Sequence, residues 1–516
     1  MPTHDTPWSQ RCLRPDPTTP WEGLGPVDVC VVGAGIAGLT SAYCLARTGH
    51  AVVVLEAHGI GEGETSRTSA HLTCALDDRF QQLESLHGRD GARLAAESHA
   101  AAIDFIEQLV TTNRIACDFT RVDGFLISAL QDQAPLAAEL AAAHRAGLPV
   151  DLVAGVPGLL PWTGPAVRFP NQARFDPMTY LQGLEQCCLA LGVRIVPQTR
   201  VVRIEDGSAP EVETADGDVL RPAHVVVATN VPVNDRVVLQ TKLEAYRSYV
   251  LALRIPREAF PDVLLWDDAD PYHYLRRTSD EQGDLLLVGG EDHKTGQGPT
   301  DPQAPYHALE EWARVRIPQA GEVVHAWSGQ IIEPVDSLAS IGLNPGGTHV
   351  HVITGDSGNG LTHGTLGGML IADQINGIAN PWGELYRPSR ITLKAAGEYA
   401  GNTANVVRQY GDWLTSSGTP LEHIAAGEGA IAWDGLHPIA AYRDPGGRIH
   451  ACSAVCPHLG GLVRWNAAEK TWDCPCHGSR FNWRGNVLNG PANSDLGAVA
   501  EHRDTFNGAA AVQPAT

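Results

Sequence analysis

At 516 residues the chain is longer than one hydrophobic core organises, so two or three domains are expected. Its 43% hydrophobic share, with 54 Gly and 35 Pro, excludes a disordered or fibrous class and reads as a loop-rich globular α/β protein. A formal net charge of −22 argues against a nucleic-acid backbone or an anionic membrane surface as partner.

The polar stretch 1–25, with Pro15, Pro17 and Pro20, lacks the apolar centre of a secretory signal and reads as a tail over 1–26. No run reaches the roughly 18 apolar residues that span a bilayer. The chain is therefore expected in the cytoplasm, without membrane or nucleic-acid partners. Val27 to Val32 is an apolar, β-branched run and predicts a buried parallel strand. Gly33-Ala-Gly-Ile-Ala-Gly38 follows at once, then a helix over Leu39 to Thr48, then a second buried strand over Ala51 to Leu55 ending at Glu56. In such a βαβ unit the first glycine allows the tight turn. The second lets the backbone approach a pyrophosphate, and the third lets helix and strand pack closely. The acid that ends the second strand can accept hydrogen bonds from ribose hydroxyls.

Farther along, Arg79 to Leu109 and Pro177 to Leu191 read as helices. Arg194 to Ile204 and Val219 to Ala228 read as strands. Tyr246 to Ile255, Asp284 to Gly289 and Val323 to Gln330 alternate, which predicts half-buried antiparallel strands of a substrate-side sheet over about 240–335. Thr348 to Ile353 reads as one more buried strand, leading through Gly355 to Gly360 into a helix over Leu361 to Ile375. A connecting helix is expected within 391–418, closed by the boundary signal Ser416-Ser-Gly-Thr-Pro420, and 419–516 reads as a small all-β domain.

Of 11 cysteines, seven are scattered and read as small buried hydrophobes. The other four, Cys452, Cys456, Cys474 and Cys476, crowd into one region. Cys456-Pro-His458 and Cys474-Pro-Cys-His477 give two thiols and two imidazoles on Gly/Pro loops. Zinc can take such a set. CxH ahead of CxxH, followed by Gly478-Ser479 and later Gly490-Pro491, departs from usual zinc patterns.

Two family resemblances follow. Residues 27–390 resemble the D-amino-acid oxidase-like FAD oxidoreductases, which include glycine and sarcosine oxidases. The likeness rests on VVGAGIAGLTSAYCLARTGHAVVVLEA, GETSRTSAHLT, FDPMTYLQGL, VVVATN and GDSGNGLTHGTLGGMLIADQI, in that order. It implies that Gly33, Gly35, Ile36, Ala37, Gly38 and Glu56 hold the ADP half of FAD. Thr65, Arg67, His71 and Leu72 would lie along the pyrophosphate and flavin edge, and Val202 would meet the adenine. Gly358, Asn359, Gly360, Leu361 and Thr362 would bring a helix N-terminus to the flavin. The His that binds FAD covalently in some relatives falls nearer Thr68, so the flavin is expected to be non-covalent.

From Glu422 to Ala500 the chain resembles a Rieske domain, whose 2Fe–2S cluster takes two Cys on one iron and two His on the other. That implies Cys456, His458, Cys474 and His477 as ligands. High-potential relatives carry a second Cys that pairs with the one between the second-motif ligands; here Gly461 stands at that place. Ser479 keeps a donor to a cluster sulfur, whereas Phe481 replaces a Tyr donor. A potential in the lower part of about −150 to +300 mV is implied.

The combined expectation is an α/β FAD-binding Rossmann-type domain with an antiparallel-sheet substrate domain, followed by a small all-β Rieske domain. It would oxidise a small amine or amino acid by hydride transfer to FAD and pass electrons singly through the cluster to an external acceptor protein. Two alternatives stay open: a reductase component taking electrons from a donor protein to feed a separate oxygenase, and a cluster-based redox sensor. A mononuclear-iron oxygenase would need a two-His-one-carboxylate site, and no such spacing is visible. No catalytic base stands out. Candidates near the substrate are Tyr249, His293 and Asp336, with Tyr246, Tyr274, Arg276 and Trp327 beside them.

Overall fold

The computed structural model describes residues 5–9, 21, 25–130, 132–159, 164–234, 239–415 and 418–499. Most of the N-terminal stretch 1–26, residues Ser416 and Ser417, and the end of the last domain past 499 lie outside the described residues. The chain forms two compact units. The first comprises residues 1–230, 247–292 and 305–395, and the second 231–246, 293–304 and 396–516.

The first unit is built on a six-stranded sheet in the order Ser340–Leu343, Val350–Thr354, His224–Val227, Val29–Val32, Val52–Leu55, Arg194–Val196. Its strands are parallel except the first, and their solid Val runs are buried on both sides. Two sequence runs expected as single strands are each cut in two. Arg194 to Ile204 breaks at Pro197 and Gln198, whose φ is 54°. Val219 to Ala228 breaks at Arg221 and Pro222. Each half then joins a different sheet, the outer halves forming a three-stranded antiparallel sheet with Glu211–Thr214.

The helix Ile36–Arg47 lies against the helix Gly360–Ile375 at van der Waals distance. A Cβ on Gly368 would stand 2.7 Å from the Ser41 amide nitrogen, and one on Gly364 would stand 3.2 Å from that of Ala37. The long helix Arg79–Asn113 is interrupted at Gly88, whose φ of 74° suits glycine.

A mixed nine-stranded sheet includes Leu243–Ile255, Gly283–Lys294, His273–Asp280 and Thr120–Ile127. Leu243–Ile255 and Gly283–Lys294 were expected to be half-buried, but both faces are covered. Leu285 and Leu287 join the core that also holds the two packed helices. Leu286 and Val288 face a second core with Tyr306 and Leu309 of the helix Ala304–Arg316. That helix was not foreseen. Trp8 of the N-terminal stretch is also buried, donating from its indole to the Thr68 carbonyl at 3.0 Å.

In the second unit two small antiparallel sheets carry the C-terminal strands: Gly429–Asp434, His437–Arg443, Ile449–Ser453, and Arg464–Asn466, Thr471–Asp473, Arg480–Asn482, Val487–Asn489. The segment read as a connector contains the helix Ala396–Gln409, which packs Val406 and Tyr410 on the core of this unit. Among the described residues no helix is long and apolar enough to cross a membrane.

Candidate functional site

The glycine loop explains its own composition. Gly33 has φ 103°, and a Cβ there would lie 2.5 Å from the Ala228 carbonyl oxygen. A Cβ on Gly38 would lie 1.9 Å from the Gly33 carbonyl oxygen, so the helix could not approach the strand. Gly35 caps the helix Ile36–Arg47 without a side-chain cap of its own. The Ile36 amide donates to Thr65 Oγ1 at 3.2 Å, which joins the two stretches that the sequence separates. Glu56 accepts from the Ala34 amide at 2.7 Å and the His58 amide at 2.8 Å, and burial pushes its carboxyl up. A weakly capped helix N-terminus behind a glycine cradle, with the acid at the next strand end, fits a dinucleotide.

Gly358, with φ 71°, and Asn359 lead into Gly360–Ile375, a second helix N-terminus without a side-chain cap. The Gly364–Ala37 approach brings this terminus beside the first, although over 300 residues separate them in sequence. Leu361 and Thr362 are buried, and Thr362 shares a hydrogen bond of 2.8 Å with His99. Val202 sits at a register shift of its strand.

Arg67 donates to the Ser328 carbonyl at 3.4 Å, and its own carbonyl takes the Trp327 indole N–H at 2.8 Å. His71 pairs through Nδ1 with Ser69 at 3.0 Å and through Nε2 with the Leu275 carbonyl at 3.3 Å. Burial and the Arg276 charge lower it to about 3, so the ring is neutral. Leu72 is buried next to it.

The substrate-side candidates separate. Tyr274 stands edge-on to His71, with 5.5 Å between ring centres, and bonds Ser248 at 3.1 Å. Arg276 is fully buried and tied to the Ser69 carbonyl at 2.6 Å and the Phe175 carbonyl at 3.3 Å. Tyr249, one residue from Ser248, points to the opposite face, where it meets Tyr306 in the second core. Asp336 is committed to Arg390 at 2.7 Å and to Thr392 at 2.8 Å, and the guanidinium holds its carboxyl below the usual range. His293 and Tyr246 belong to the second unit, where His293 Nδ1 meets the Lys294 carbonyl at 3.1 Å and Tyr246 donates to Glu244 at 3.1 Å.

The fold assembles a group that sequence reading missed. Asp77 and Asp78 precede the long helix, Asp292 lies near the end of the strand Gly283–Lys294, and Glu333 and Asp356 come from the third quarter of the chain. Burial raises Asp77, Asp292 and Asp356 to about 7. Tyr272 donates to Asp77 at 3.1 Å, and a Cβ on Gly358 would overlap the Asp77 carboxylate at 1.8 Å. Ser357 Oγ lies 2.5 Å from both Asp78 Oδ2 and Glu333 Oε2. One hydroxyl proton serves one carboxylate, so the other carboxyl must carry its own proton. Burial and mutual repulsion raise both acids accordingly. The acids come from four separate stretches, and their only local signal is the Asp77-Asp78 doublet.

In the second unit the two Cys–His loops are congruent. The Cys456 amide donates to the Gly461 carbonyl at 2.9 Å, and the Gly460 amide to the Cys456 carbonyl at 3.0 Å. The Cys474 amide donates to the Ser479 carbonyl at 2.8 Å, and the Gly478 amide to the Cys474 carbonyl at 3.0 Å. Gly460 and Gly478 have φ of 78° and 79°, the left-handed turn each closure needs. The loops bring the His458 and His477 rings to 4.9 Å, edge-on, and put the Cys456 and Cys474 thiols in contact. Among the described residues no three His, Cys, Asp or Glu gather about a single metal ion. A cluster asks instead for one pair on each of two irons, and two thiols with two adjacent imidazoles fit it. Ser479 bonds the Cys456 thiol and accepts from the Ala492 amide at 3.0 Å. A Cβ on Gly461 would lie 2.6 Å from Cys476 Sγ, and Cys476 is free. Cys452 faces Gly485 and is free as well.

Comparison with known proteins agrees with both sites. The chain is 31% identical over 470 residues to the Rieske 2Fe-2S iron-sulfur protein YhfW of Bacillus subtilis, covering 90% of this chain and 92% of that protein. It is 26% identical over 370 residues to the gamma-glutamylputrescine oxidoreductase of Escherichia coli, covering 68% and 84%. The fold matches the crystal structure of glycine oxidase from Geobacillus kaustophilus with a TM-score of 0.61 at 21% identity, over 71% of this chain and 99% of that one. Residues 28–374 match the model of the DAO family, FAD dependent oxidoreductase, and residues 425–501 that of the Rieske 2Fe-2S domain. The chain therefore belongs to the DAO family of FAD-dependent oxidoreductases and carries a C-terminal Rieske 2Fe-2S domain, with FAD and a 2Fe–2S cluster as its cofactors.

Proposed function

We propose that the chain oxidises an amine or amino acid and hands the electrons one at a time, through its Rieske domain, to an external acceptor protein. The observation that carries the reading is the presence in one chain of two congruent Cys–His loops and an FAD-dependent oxidoreductase unit. A relative named for gamma-glutamylputrescine and a structural neighbour named for glycine support a nitrogen-bearing substrate. FAD supplies two-electron acceptance and the cluster one-electron transfer.

The chain's residues then have distinct duties. Gly33, Gly35 and Gly38 open the space in which the Ile36–Arg47 helix terminus meets phosphates, and Glu56 stabilises the loop while facing the ribose. The Gly358–Thr362 terminus would offer a positive dipole end to the flavin ring. Cys456 and Cys474 would hold one iron and His458 and His477 the other, and the cluster would supply one-electron transfer. Residues 27–390 serve as the oxidoreductase domain and 419–499 of the last segment as the electron-transfer domain.

The test is His477→Ala. Flavin should still bleach anaerobically with substrate, while reduction of an external one-electron acceptor slows at least tenfold. An unchanged acceptor rate would take the Rieske domain off the path. Loss of flavin bleaching with FAD still bound would favour electron flow from the cluster to the flavin.

A further inference from the structure

Near the end of the strand Gly283–Lys294, Asp292 has a carboxyl oxygen with no partner. Asp292 takes a hydrogen bond from Ser248, which in turn is bonded to the Tyr274 hydroxyl at 3.1 Å. With Tyr274 donating to Ser248 and Ser248 to Asp292, both hydroxyl protons are spent. Asp292 Oδ1 remains buried with no hydrogen-bond partner. A buried carboxylate oxygen left this way is unfavourable until a proton, a donor or a cation meets it.

The surroundings supply more negative charge rather than less. Asp77 and Glu291 both oppose ionisation of Asp292. Asp77 Oδ2 already takes the Tyr272 hydroxyl at 3.1 Å, and the Asp77 side chain is exposed. Tyr272 stands in the field of Asp77, Asp292 and Glu333 together. The cation that bears on Asp77 is Arg79, whose guanidinium is turned to the Asp267 carbonyl at 2.9 Å. The complement to this arrangement is a group with several N–H donors and a positive charge. A carboxylate placed beside Asp292 would meet the like charges of Asp77 and Glu291.

We propose that Asp292, with Asp77, forms a subsite for an ammonium group, and that the chain selects amines lacking a carboxylate beside the reacting nitrogen. This deepens the amine reading above and rests on it for the chemistry, but binding can be tested without turnover.

The FAD-loaded, cluster-loaded chain is titrated with butylguanidinium, a cation that flavin does not oxidise, and with butyrate, an anion of similar size. Binding is read from the oxidised flavin spectrum and by equilibrium dialysis. Butylguanidinium should bind at least tenfold more tightly than butyrate. Asp292→Asn should weaken the cation at least tenfold and should not weaken butyrate. Ser248→Ala, which frees Asp292 from its tether, should weaken the cation less. Butyrate binding as tightly as the cation in the parent chain, no cation binding at millimolar concentration, or an unaltered cation affinity in Asp292→Asn would each overturn the subsite. The parent-chain comparison decides even if Asp292→Asn fails to take up FAD. If the cation binds as expected yet no amine bleaches the flavin, the subsite stands and the oxidation reading falls.

Discussion

Single side chains in the first unit are governed by where their charge can go. Asp356 is held by the Ile332 amide at 2.9 Å, and burial moves its carboxyl from the ordinary 3.8 to about 7. Between those values the folded chain keeps a proton that the unfolded chain has lost, so this residue's contribution to stability falls as pH rises. Asp356→Asn keeps an acceptor for the amide and has no proton to lose. Its melting temperature relative to the parent should therefore climb from pH 4 to 7 and level off above. A difference that stays constant over that range would mean Asp356 ionises like an exposed carboxylate. Asp336 shows the opposite case: with Arg390 beside it, its carboxyl is lowered. Paired and unpaired acids thus differ by their neighbours, not by their own chemistry.

At the scale of the element, the cluster loops show how a short motif sets a geometry. Each loop closes on its own cysteine through the same two backbone hydrogen bonds, and each uses a left-handed glycine. The place where relatives of high potential have a further cysteine is Gly461. A Cβ there would lie 3.4 Å from that of Cys476, at the short end of the span that a disulfide bridges. Gly461→Cys should therefore form a disulfide with Cys476 on oxidation, closing a loop of about 15 residues worth about 3 kcal/mol in chain entropy. Thiol titration before and after oxidation, together with the cluster spectrum, checks this. Two free thiols persisting in the oxidised variant would show that the loops are held farther apart.

For the whole molecule, the two units carry separate cofactor chemistry. Gly35→Val puts branches where a bare Cβ would already lie 3.1 Å from Thr65 Oγ1, at the helix terminus proposed to meet the FAD phosphates. FAD content should fall below about a tenth of the parent value. Iron and labile sulfide should stay at about two each per chain, because the cluster loops have their own core around Trp472 and Phe481. Loss of iron together with flavin would show that the second unit does not hold its structure independently.

The sequence by itself determined the parts whose physics is local. The Gly33–Gly38 turn, the Glu56 strand end and the two Cys–His loops are each specified within a few dozen residues, since backbone sterics and ligand spacing act over that range. The seam between the helices Ile36–Arg47 and Gly360–Ile375 was half legible, as a glycine-rich run whose partner was not named. Tertiary structure alone decided that Tyr249 faces an apolar layer while Ser248 faces His71 and Tyr274, since that depends on which face each core covers. It alone decided that the strands Leu243–Ile255 and Gly283–Lys294 are buried on both sides, because the covering helix Ala304–Arg316 leaves no mark in their alternation. The acids Asp77, Asp78, Asp292, Glu333 and Asp356 were legible only as scattered polar residues. Their raised proton affinity comes from burial beside one another, and no spacing along the chain encodes that proximity.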